Sequence, residues 1–132
     1  MRDFAARLVT FEARLERPGG AKRPPAYYVC EKLRPIFGNV MGTQGFRALL
    51  ARALALSSGE VRWLCALHVQ ADATLSHLDE DAAQLDSKEL AEGSLALVAK
   101  LLGLTVTFIG EPLTLWMLRE GWPELPLNDS VF

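Results

Sequence analysis

Between residues 86 and 109 the chain reads DSKELAEGSLALVAKLLGLTVTFI, and its apolar positions recur at helical spacing. Leu90, Leu97, Leu101, Leu104 and Phe108 form one stripe; Leu95, Val98, Leu102, Val106 and Ile109 form a second beside it. A helix that is apolar round most of its circumference is a central one, covered by its neighbours. Asp86, with Glu89 three residues on, gives an N-cap at capping-box spacing, so the helix is predicted to begin near Ser87. Gly110 sits where a left-handed C-cap belongs. A third line, Gly93, Ala96, Lys100, Gly103 and Thr107, is mostly small and would admit a close neighbour.

The other helices carry narrower apolar faces. In residues 2–17, Phe4, Leu8, Phe11 and Leu15 make a single seam on an otherwise polar helix with mixed charges. PGGAKRPP, residues 18–25, cannot continue that helix and reads as a linker or ordered loop, which would leave the first helix detachable. Tyr28, Val29, Leu33, Ile36 and Phe37 mark a second helix that Pro35 should kink or divide. Thr43 is placed to cap a third, in which Phe46, Leu49, Leu50, Ala53 and Leu54 form the inner face and Arg47 and Arg52 the outer. From 58 to 85 the periodicity weakens: a short helix near 60–67, an extended piece around 68–74 and an acidic helix or turn at 76–84 are expected. Pro112 opens a last helix that closes before Gly121. There Leu113, Trp116 and Met117 share a face that should pack back on the central helix, and the tail from 123 should run over the surface.

The central stretch also invites a membrane reading. Ser94 to Ile109 is 16 residues with one charge, Lys100, whereas a bilayer span needs about 20 apolar residues. A lysine in mid-bilayer costs at least about 2.5 kcal/mol. Glu89, Glu92, Glu111 and Pro112 block extension at both ends, so the buried core helix is preferred.

The composition agrees with a helical domain. The 132 residues are 50% apolar, enough for one core without metal or disulfide support. The N-terminal residues lack the continuous apolar centre of a secretory signal. Two cysteines, Cys30 and Cys65, are too few for a disulfide framework and fit a reducing cytoplasm. The net charge of −2 conceals a division: residues 1–66 hold 11 Lys/Arg against 5 Asp/Glu, residues 67–132 hold 3 against 11. Halves of opposite sign can neutralise one another within the fold, steer self-association, or present one charged face to a partner.

Candidate chemistry is thin. Cys65 and His68 make a C-x-x-H pair, with Asp72 and His77 downstream and Cys30 elsewhere, but a zinc site wants four ligands in paired short spacings. A Cys–His nucleophile would need an activated thiol and a positioned base, which residue type alone does not supply. Asp79, Glu80 and Asp81 point in different directions on a helix and read as a solvated acidic turn. Lys100 should lay its stem on apolar surface and reach water or a carboxylate with its ammonium. The glycines at 38, 42 and 45 follow no phosphate-binding pattern. Arg34, Arg47 and Arg52 form no dense cluster with interleaved aromatics, which argues against nucleic acid. No cofactor is implied.

At CEKLRPIFGNVMGTQGFRALLARALAL (30–56), WLCALHV (63–69) and LVAKLLGLTVTFIGEPLTLWMLREGWP (97–123), the chain resembles a group of small bacterial helical proteins. The resemblance implies a bacterial, cytoplasmic helical protein whose common module is 26–123. It brings no activity, ligand or catalytic residue with it.

The expected fold is all-α, a bundle of about five helices near 3–17, 26–41, 44–57, 87–109 and 112–120 around the central one. Residues 1–17 form an amphipathic helix, 18–25 the joint, and 26–132 the helical domain with its tail. The expected function is a non-enzymatic module that binds another protein or itself through Phe4, Leu8, Phe11 and Leu15 with Arg7, Arg14, Arg47 and Arg52. The alternative is a helical pocket for a small apolar ligand or lipid, with Lys100, Trp63 or Trp116 near its mouth.

Overall fold

The computed structural model describes residues 2–15, 23–76 and 85–125. Among these the chain is an all-α bundle: α1 (Arg2–Arg14), α2 (Pro25–Met41), α3 (Thr43–Ser57), α4 (Ser87–Ile109) and α5 (Glu111–Gly121), with a 3-10 turn at Arg62–Ala66. Of the predicted linker at 18–25, residues 18–22 lie outside the described residues, as do the acidic run at 79–81, His77 and the tail from 126, while Pro25 is already the first residue of α2.

The central helix is α4. The Asp86 side chain accepts the Glu89 N–H at 2.7 Å, satisfying one of the donors that a helix start leaves open. Leu90, Leu97, Val98, Leu101 and Leu102 are buried against all the other helices. By length and composition α4 could cross a membrane, and half of that apolar window is covered by the rest of the bundle. Phe108 departs from the expected stripe: it is 77% exposed. Helical periodicity fixes the angle of a side chain about the axis, and here the stripe continues beyond the neighbours that cover it.

Two joints are one residue long. Gly42 (φ 82°) ends α2 through its N–H to the Gly38 carbonyl, and its own carbonyl accepts the Phe46 N–H of α3. Gly110 (φ 87°) does the same between α4 and α5, bonding Val106 and Thr114. Both backbones lie in a positive-φ region that side chains penalise, which is why glycine stands at each corner. Thr43 is therefore the first residue of α3 and not its cap, which is Gly42. Across the first corner, Phe37 and Phe46 meet edge-to-face at 5.0 Å. Pro35 does not divide α2, which continues through it to Met41.

At the start of α2 the Ala26 N–H donates to Ser94 Oγ at 3.0 Å, so a buried hydroxyl on α4 closes an open helix terminus. On α5, Leu115, Met117 and Leu118 turn inward while Leu113, Trp116 and Glu120 face out. The expected shared face of Leu113, Trp116 and Met117 is thus split, since Trp116 is 49% exposed and Met117 fully buried.

The weakly periodic stretch folds as a 3-10 turn followed by a tight reversal. Val69 and Leu75 form an antiparallel bridge, and Ala73 takes a positive φ of 68° inside the turn. Asp72 Oδ1 accepts from both the N–H and the hydroxyl of Thr74, at 3.1 and 2.6 Å.

A candidate interaction groove on the first helix

Helix α1 packs on its own domain. Phe4 (2% exposed) and Leu8 (0%) belong to the common core with Ala5 and Val9. Burying a Phe or Leu side chain contributes about 1.5–3 kcal/mol, so releasing α1 would open the core and cost several times that. The expectation that Phe4 and Leu8 dock into a partner is corrected: their seam is already covered by α2 and α4.

The seam's other half meets solvent. Phe11 is half-buried and Leu15 is 41% exposed. With Ala6, Thr10 and Leu125 they line an open, largely apolar groove of about 560 Å³, flanked by Arg7 and Arg14. The two arginines are seven residues apart and so stand on one side of the helix, about 10 Å from each other along its axis. Among the described residues neither has a carboxylate within ion-pair distance.

A buried charge holds the groove's wall in place. Glu12 is 1% exposed on the inner side of α1. Its Oε2 accepts from Lys32 Nζ of α2 at 2.6 Å and from the indole N–H of Trp122 at 3.0 Å. The Lys32 ammonium also stands 5.0 Å from the Phe11 ring centre and 5.5 Å from that of Trp122, within cation–π range. Trp122 closes α5 with its N–H on the Leu118 carbonyl, and its own carbonyl accepts the Leu125 N–H at 3.1 Å. One ammonium therefore bonds the carboxylate that anchors the Leu125 segment and lies over the Phe11 ring. Sequence reasoning passes over Glu12, Lys32, Trp122 and Leu125. The available signal is an acidic residue beside the α1 seam, at the position where a core side chain is due.

The expected surface divides. Arg7, Arg14, Phe11 and Leu15 come together at the groove, whereas Arg47 and Arg52 lie exposed on α3. Arg47 is engaged locally: its Nε donates to the Gln70 carbonyl at 3.1 Å, tying the 70–74 turn to α3. The alternative pocket residues each have a separate engagement. Trp63 packs on Gly93 and donates its indole N–H to the Glu89 carbonyl at 3.1 Å. Lys100 reaches Glu60 at 3.8 Å with both side chains well exposed, and Trp116 projects from the outer face of α5.

The thiols separate too. Cys30 is buried in the core, where desolvation, and then the neighbouring Glu31 charge, push its thiol up to about 12. Cys65 is exposed, with Sγ 3.7 Å from the Ser58 carbonyl, and it lines an open depression of about 300 Å³ with His68. Among the described residues no three His, Cys, Asp or Glu side chains group as metal ligands would.

Compared with protein-family models, curated proteins and solved structures, the chain matches none.

Proposed function

We propose that the protein is a non-enzymatic interaction module that engages another polypeptide, of its own kind or foreign, along the α1 groove. The observation that carries this reading is the combination at one place of an apolar channel, open among the described residues, with two arginines that no described carboxylate neutralises. Apolar contact area supplies affinity and flanking charge supplies orientation in such surfaces. Among the described residues the groove is open, without the enclosure of a small-molecule site, which buries most of its ligand. The unpaired thiols of Cys30 and Cys65 support a reducing compartment such as the cytoplasm, and the resemblance to bacterial helical proteins supports that origin.

The test places a photo-crosslinking residue at Thr10, on the groove, and for comparison at exposed Arg62, in the full chain inside cells. Adducts from position 10, absent from position 62 and lost when Arg7→Glu and Arg14→Glu are added, support the groove. Equal labelling from both positions, or none from position 10, overturns it.

A further inference from the structure

Leu125 is one wall of the α1 groove, and the sequence runs on from it. Residues 126–132, PLNDSVF, lie outside the described residues and are attached at the groove's own edge. Fully extended, a stretch of that length reaches about 23 Å. The α1 side of the groove, from Ala6 to Leu15, is about 14 Å long. The stretch is therefore long enough to cover the channel from its point of attachment.

Its residue pattern suits that channel. In an extended chain alternate side chains share a side, which would put Leu127, Asp129 and Val131 on the side of Leu125. Leu125 already faces the groove, so an extended run past it would present two apolar side chains and one carboxylate there. Pro126 favours such a run, because the residue before a proline is driven out of the helical region. The stretch holds one acid, Asp129, and no base. Of the two arginines, Arg14 is its better match. Asp3 is exposed one turn before Arg7 on the same face, whereas no acid lies three or four residues from Arg14 in either direction. The exposed apolar residues of α5 are a poorer occupant. A second copy offering Trp116 would bring Arg119, one turn along, toward Arg7 and Arg14.

We propose that residues 126–132 of the same chain occupy the α1 groove, with Leu127 and Val131 on Phe11 and Leu15 and the Asp129 carboxylate at Arg14. Attachment at Leu125 makes the contact intramolecular, so its high effective concentration lets a modest apolar area hold it. Resting on the interaction reading above, a partner then gains the groove by displacing this segment.

The experiment places the photo-crosslinking residue at Thr10 of the purified, dilute full chain and maps the products by peptide mass spectrometry. The expected product is an intrachain link from position 10 to residues 126–132, recovered from the monomer. D129K and R14E should each lower its yield by about two- to five-fold, the range of an exposed ion pair, and R14E/D129K should restore it. L127D/V131D should abolish it, with thermal melts checking that each variant folds. No link to 126–132, a link found only between two copies, or a yield indifferent to L127D/V131D overturns the proposal. Inside cells, L127D/V131D should raise partner adducts from position 10. An intrachain link without partner adducts in either protein overturns the interaction reading and leaves the occupancy of the groove standing.

Discussion

Trp63 lies against the α-carbon of Gly93, and its indole N–H reaches past that glycine to the Glu89 carbonyl one turn earlier on α4. A Cβ at position 93 would overlap the six-membered ring and stand 2.7 Å from the indole nitrogen. Substitution G93A should therefore displace the ring and lower stability by about 1–3 kcal/mol, the usual range for overpacking. Urea denaturation measures it. The double variant W63A/G93A should cost less than the sum of the two single changes, because removing the ring makes room for the methyl group; additive effects would mean that ring and glycine do not touch.

The carboxylate of Glu12 is neutralised by a lysine whose side chain is itself one-third exposed, at 34%. Replacing Lys32 with Met leaves the buried charge without its ammonium, and breaking such a pair costs about 3–5 kcal/mol in a dry interior. The wet end of Lys32 brings the expectation here to about 2–4 kcal/mol. Adding E12Q should recover part of that loss. W122F removes one hydrogen bond to a charged acceptor, worth about 1.5–3 kcal/mol. Thermal melts of the three proteins should rank K32M lowest, and an unchanged K32M melt would show that the ion pair contributes nothing.

The two cysteines should differ sharply toward alkylation. The Cys30 thiol, raised to about 12 and enclosed in the core, has almost no thiolate near neutral pH, whereas Cys65 faces solvent. Iodoacetamide at pH 8 should add one adduct, at Cys65, to the native protein and two in denaturant, read by peptide mass spectrometry. Rapid native labelling of Cys30 would show that the core opens far more readily than its packing implies.

Asp72 should report on the 70–74 turn. The Thr74 hydroxyl, and then the Thr74 N–H, hold its carboxyl below the ordinary value of 3.8. A lowered folded-state value stabilises the turn above the unfolded value, and that contribution disappears as pH falls through the folded one. The Ala73 and Thr74 amide resonances should thus stay constant through neutral pH and shift only below about pH 4. In D72N that step should vanish. A step persisting in D72N would assign it to another group.

Much of this fold is legible in the residues. Asp86, Gly42 and Gly110 act through backbone hydrogen bonds within four residues, so local sequence places the ends of α2, α3, α4 and α5 within a residue or so. The destination of a face is less legible. Phe4 and Leu8 have one spacing whether they meet their own core or a foreign groove, and only the packed fold decides between them. Glu12 is harder still: an acid reads as surface until Lys32 and Trp122, 20 and 110 positions away, come to meet it. The groove inherits that difficulty, because one wall comes from α1 and the other from Leu125 at the far end of the described chain.

The single-glycine corners bear on the order in which the chain assembles. Joining α2 to α3 and α4 to α5 through one residue each leaves almost no loop to close, and short closures lose little entropy and form quickly. Each pair can consolidate as a local unit before anything distant is in place, with the Phe37–Phe46 contact forming early. Helix α1 is in the opposite position: its anchor at Glu12 waits for Trp122, across most of the sequence. Mutations at the Phe37–Phe46 contact should slow refolding, while those at the Glu12–Trp122 contact should chiefly speed unfolding. On this order the helix that carries the groove would dock last, and the groove itself, walled by α1 and Leu125, would form only once Trp122 has reached Glu12.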